Sequence, residues 1–79
     1  MAFRKDGYIR GGLAVGGYSV AKYVNSKTGE RKMSLMRNGR AVGSKTFKNM
    51  GEHAAWYAAT VPAGTDGHDT IIKLTEALR

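Results

Sequence analysis

The chain has 79 residues, no cysteine and a formal charge of +7. So short a chain builds one small core, and without disulfides or thiolate-held metal it must lay helices over a sheet to bury enough apolar surface. The absence of thiols fits an intracellular setting, and the uncharged run from Gly11 to Ala21 is too short and too rich in glycine for a membrane span or the apolar centre of a signal peptide.

The charge is unevenly distributed. Residues 1–48 hold eleven Lys or Arg against Asp6 and Glu30, a balance of +9, whereas residues 49–79 carry −2. The positive field therefore belongs to the first part of the chain, where it would draw in nucleic acid or an acidic protein surface.

Met1 to Asp6 reads as a loosely held polar start. Gly7 to Gly17 places Tyr8, Ile9, Leu13 and Val15 among glycines, which predicts a short or bulged strand. It does not match a phosphate-cradling loop, because Gly17 is followed by Tyr18-Ser19 and not by Lys with Ser or Thr. Were Tyr8, Ile9 and Leu13 exposed together, they would form an apolar patch suited to an oligomer or a structural phage protein.

Residues 18–47 predict a three-stranded antiparallel meander. Tyr18 to Asn25 is rich in β-branched and aromatic residues and is followed by the polar loop Ser26-Lys-Thr-Gly29. Asn38-Gly39 lies between two extended runs and suits a type I′ turn, in which both central residues need positive φ. That turn sets Arg37 against Arg40, Leu35 against Val42 and Met33 against Ser44, and the upstream loop sets Val20 beside Leu35. The expected core face is Val20, Val24, Met33, Leu35 and Val42. The other face is expected to carry Tyr23, Lys32 and Lys45 in a row beside Ala21, Ser34 and Gly43.

Asn49 and Glu52 form a capping-box arrangement that opens a helix over 49–60, with Trp56 as a core anchor. Pro62 and Gly64 break it, and Thr65 or Asp66 can cap a second helix over 66–78, whose apolar stripe is Ile71, Leu74, Thr75 and Leu78. The expected fold class is α+β: an antiparallel three- to four-stranded β-meander with two helices packed on one face.

Catalysis finds no support in these residues. His53 and His68 sit on different elements, and no serine lies in a nucleophile motif. Asp66, His68 and Asp69 read as a helix-capping cluster, not a metal site. The expectation is a protein with no catalysis, cofactor or metal. Binding is better supported, since an aromatic among lysines on a sheet suits stacking and phosphate contact. A meander followed by a helix, with arginines at a hairpin tip, also resembles AP2-like and integrase arm modules that lay a sheet in a DNA groove. Lys27, Lys48 and Lys73 read simply as solvation. The candidate partner-binding set is Tyr23, Lys32, Arg37, Arg40 and Lys45.

From Tyr23 to Tyr57 the chain resembles a family of small phage-encoded anti-CRISPR proteins acting on type I systems. The shared pattern, without a gap, is Tyr23, Asn38-Gly39, a basic Arg40, Val42-Gly43, Phe47 and Trp56-Tyr57. Pro62 falls one place later than in the relative, and the last helix matches only in character. The resemblance implies a four-stranded antiparallel sheet with two helices on one face. It implies a monomeric inhibitor in the bacterial cytoplasm that binds backbone subunits of the guide-RNA surveillance complex and keeps target DNA from the guide, with Tyr23 contacting the subunit. Two features depart from the family: Ser34 stands where the relative has a partner-facing acid, and the charge of +7 makes this chain a poor DNA mimic against subunits that are basic along their own groove. On this reading the basic ribbon seeks acidic patches beside the groove, or the guide's phosphates.

Overall fold

The computed structural model describes residues 3–10 and 16–79. Four strands, β1 (Arg4–Arg10), β2 (Tyr18–Val24), β3 (Arg31–Arg37) and β4 (Arg40–Phe47), are followed by helices α1 (Met50–Thr60) and α2 (Gly67–Leu78). The strands form one antiparallel sheet in sequence order. The expected class therefore holds, with four strands. The polar start reaches further into the sheet than expected, because Arg4 to Asp6 belong to β1. Leu13 and Val15 lie outside the described residues.

Local chemistry explains most element boundaries. Asn38 at φ 52° and Gly39 at φ 79° make the tight turn between β3 and β4. Asn49 caps α1 by accepting from the backbone N–H of Glu52 at 2.9 Å, and the Glu52 carboxylate accepts in return from the N–H of Lys48 at 3.3 Å. Asp66 caps α2 in the same way, accepting from the N–H of Asp69 at 2.8 Å.

Both helices cover one face of the sheet. Val20, Met33, Leu35 and Phe47 from the strands meet Val61 and the α2 residues Ile71, Leu74 and Leu78 in the core. The α2 stripe is buried as its spacing predicts, with Thr75 and also Thr70. α1 is looser: none of its residues is fully buried, and Trp56 and Tyr57 pack only partly against the core.

The β3–β4 ladder departs from expectation by one residue. Val20 faces Leu35 and Arg37 faces Arg40 as the turns require, but Leu35 faces Gly43 and Met33 faces Lys45. The ladder slips between Leu35 and Met36, leaving Val42 as the extra residue of a bulge, 49% exposed. Two tertiary demands account for this. Strand residues alternate between faces, so an unslipped ladder would put Val42 against the helices and Phe47 on the open side; the bulge reverses that and buries Phe47. It also brings Gly43 under the end of α2, where an added Cβ would overlap the Leu78 carbonyl oxygen and lie 2.9 Å from its carbon. Only a residue without a side chain lets α2 approach so closely. Val24, the other core expectation not met in full, is half-buried.

Candidate functional site

Strand alternation fixes what the uncovered face of the sheet displays. Across it, Lys5, Tyr23, Lys32 and Thr46 are successive cross-strand neighbours, and beside them run Tyr8, Ala21, Ser34 and Ser44. Among the described residues no helix lies over this face, yet Ala21 and Ser34 are buried. With Ala21 0% and Ser34 3% exposed, a partner would meet the longer side chains around them, Lys5, Tyr8, Tyr23 and Lys32, and not these two.

These longer side chains are ordered by ring contacts. The Lys32 ammonium lies 5.5 Å from the Tyr23 ring centre and 5.7 Å from that of Phe3, and the Lys5 ammonium sits 4.5 Å over Tyr8. Each such contact contributes roughly 0.5–1 kcal/mol at an exposed site. They also hold two flexible lysines in place, which reduces the entropy lost when a partner binds. The Tyr8 hydroxyl accepts from Ser19 Oγ at 2.8 Å, which fixes the ring on this face. The result is a flat, aromatic, cationic surface.

Of the five residues expected to bind a partner, Tyr23 and Lys32 are brought together as direct cross-strand neighbours. Lys45 is not in their row. The bulge turns it to the helix side opposite Met33, with its ammonium 5.7 Å from the Phe47 ring centre, and Thr46 takes its expected place. Arg37 and Arg40 face each other at the hairpin tip, roughly 17 Å along β2 from Tyr23. There Arg37 lies over Tyr18, 5.0 Å from the ring centre, and donates to its hydroxyl at 3.4 Å.

Phe3, Lys5 and Tyr8 were missed because the start of the chain reads as loose and glycine-rich. Lys5 and Tyr8 share a face only because the ladder slips between Lys5 and Gly7. Gly7 was the available signal, since an isolated glycine in a strand often marks a bulge.

A second feature lies on the helix side. Arg31 pairs with Asp6 at 2.8 Å, and its Nε–H donates to His53 Nδ1 at 3.1 Å. An Nδ1 that accepts leaves the proton on Nε2 in a neutral ring. Nε2 is buried and has no hydrogen-bond partner among the described residues. Burial, then Arg31 and Lys22, hold the His53 pKa below its ordinary 6.5 against the opposing pull of Asp6. The ring stacks on Phe47 at 4.7 Å. Beside it, between α1 and the sheet, is a cleft of about 560 Å³ lined by Lys22, Arg31 and His53 and by apolar residues of α1.

Asp66 and Asp69 are engaged in capping α2, and His68 Nδ1 lies 3.7 Å from Asp69 on the exposed surface. Among the described residues no helix is long and apolar enough to cross a membrane. Comparison with protein-family models, with curated proteins and with solved structures returns no match.

Proposed function

We propose that this protein is a non-catalytic phage inhibitor of a type I CRISPR surveillance complex, binding a backbone subunit through the open face of its sheet and blocking target DNA. One observation carries the reading: Tyr23, the residue that the family resemblance nominates, sits on the open face of the sheet, beside Lys32 and across from Lys5. A face of aromatic rings with fixed ammonium groups suits an acidic, partly apolar protein surface, because the rings supply contact area and the lysines supply steering and register. The corrected ladder narrows the proposed site to Phe3, Lys5, Tyr8, Tyr23 and Lys32, and leaves Lys45 out of it.

The same row supports a second reading, a small DNA-binding module of the arm or AP2-like kind, since rings alternating with ammonium groups also suit bases and phosphates. One experiment separates the two. Labelled target duplex is captured by a purified surveillance complex while the protein is titrated in, with naked duplex alongside. Loss of capture with the naked duplex unshifted at physiological salt supports the inhibitor. A shifted naked duplex, with affinity falling by a log–log slope of about −0.9 per phosphate contacted, replaces it with the DNA-binding module.

A further inference from the structure

The cleft on the helix side is independent of the open face and of whatever that face binds. Its helical wall is an apolar stripe, Met50, Ala54 and Tyr57 of α1 with Val61 just beyond its end, at i, i+4, i+7 and i+11. This spacing would ordinarily be driven into a core. Here Val61 is buried in the core and Tyr57 packs partly against it, but Met50 is 65% exposed and Ala54 is exposed too, so the outer part of the stripe is open to the cleft. The sheet wall is different in kind. Lys22 and Arg31 project from diagonal positions of β2 and β3 on the same face.

The charges on that wall do not cancel. Arg31 is neutralised by Asp6, and His53 is neutral because its Nδ1 accepts from Arg31. No carboxylate pairs with Lys22 among the described residues. The stem of Lys22 runs over Gly7, which leaves room for it: an added Cβ there would come within 2.9 Å of its Cε. The cleft thus presents one uncompensated positive charge. Its volume of about 560 Å³ falls within the roughly 300–1,000 Å³ usual for small-molecule sites.

We propose that this cleft binds a small monoanionic amphiphile, an apolar body ending in a single carboxylate, with the carboxylate on Lys22 and Arg31 and the apolar body along Met50, Tyr57 and Val61. One unbalanced cation matches one anionic oxygen pair. A dianion would leave charge uncompensated, and a neutral apolar ligand would desolvate Lys22 without replacing its water.

The test titrates octanoate, and in parallel its neutral isostere octanamide, into the full chain while the NMR signals of the Met50 methyl, the Tyr57 ring and the His53 ring are followed. Octanoate should shift all three saturably, with a Kd on the order of 1 mM for about ten non-hydrogen atoms. Octanamide should bind about tenfold more weakly. Lys22→Gln should bring octanoate down to the affinity of octanamide while leaving octanamide unchanged, with the Leu35 and Ile71 methyl signals reporting an intact core. Ala58→Trp, which fills the cleft from α1, should abolish both titrations. Equal affinities for the two probes, octanoate binding indifferent to Lys22→Gln, or no saturable shift at these three residues would each overturn the proposal.

Discussion

Replacing Gly43 by alanine tests the feature on which the whole arrangement of β4 depends. Gly43 does not have positive φ, so on backbone grounds alone alanine would be neutral or stabilising, by about 0.4–1 kcal/mol through the unfolded chain. The tertiary contact reverses that sign. The new methyl would overlap the Leu78 carbonyl oxygen, a main-chain atom that no rotamer change can move aside. Overpacking of this kind costs about 1–3 kcal/mol. Relieving it by lifting the last turn of α2 exposes Leu78, now 4% accessible, at a cost of similar size. A net loss of about 2–3 kcal/mol follows, out of a total of about 4–12 for a chain of this length. Thermal unfolding followed by circular dichroism should show a fall in Tm of about 10–20 °C. Val42→Ala is the companion measurement: at 49% exposure the valine gives up little, and the loss should stay under about 1 kcal/mol. If Val42→Ala proved the more damaging and Gly43→Ala were silent, Leu35 would face Val42 in a regular ladder, and the placement of Lys45 and Phe47 argued above would fail with it.

The remaining predictions concern the open face, the buried histidine and a helix cap. In the complex-binding assay, Tyr23→Ala should weaken binding about thirtyfold, as an aromatic anchor at the centre of an interface does, and Lys32→Glu at least about tenfold. Lys45→Glu should change binding less than about threefold; equal losses from Lys32 and Lys45 would mean that the partner does not distinguish the two faces. His53, with its folded pKa held below 6.5, takes up a proton more readily in the unfolded chain. Its contribution to stability is therefore complete above pH 6.5 and is lost as the pH falls through the folded value. Denaturant titrations should show that decline in the parent and not in His53→Phe, which keeps a ring on Phe47; an identical decline in both would assign it to other groups. Asn49→Ala should cost about 1 kcal/mol through loss of the cap on α1, and chemical denaturation showing no change would mean that α1 contributes little to the cooperative unit.

The open face also bears on solubility. A four-stranded sheet with one uncovered side and two free edges invites association. Here the edges are interrupted by slips at Asp6 and Val42, and lysines occupy the face. The residues proposed to meet a partner thus also oppose non-specific pairing, so substitutions at Lys5 or Lys32 need a check of oligomeric state before a binding loss is interpreted.

What the sequence determined by itself is what depends on neighbours in the chain. Asn38-Gly39 specified its turn because few residues accept positive φ in succession. Asn49 and Asp66 specified their caps because a side-chain oxygen reaches the N–H three residues on. The spacing of Ile71, Leu74, Thr75 and Leu78 specified the buried side of α2, and the turn and loop lengths set Val20 opposite Leu35. The tertiary structure decided the rest. Whether β4 runs regularly from its turn or bulges at Val42 depends on a helix carbonyl more than thirty residues later and on burying Phe47, and no local pattern encodes either. The one-residue slip then assigned Lys45 to the helix side, since strand side chains alternate with a period of two. Likewise Lys5 and Tyr8 joined Tyr23 only because β1 paired with β2 through a slip of its own. Short-range chemistry could nominate Tyr23 and Lys32, but only long-range packing could say which residues share a surface with them.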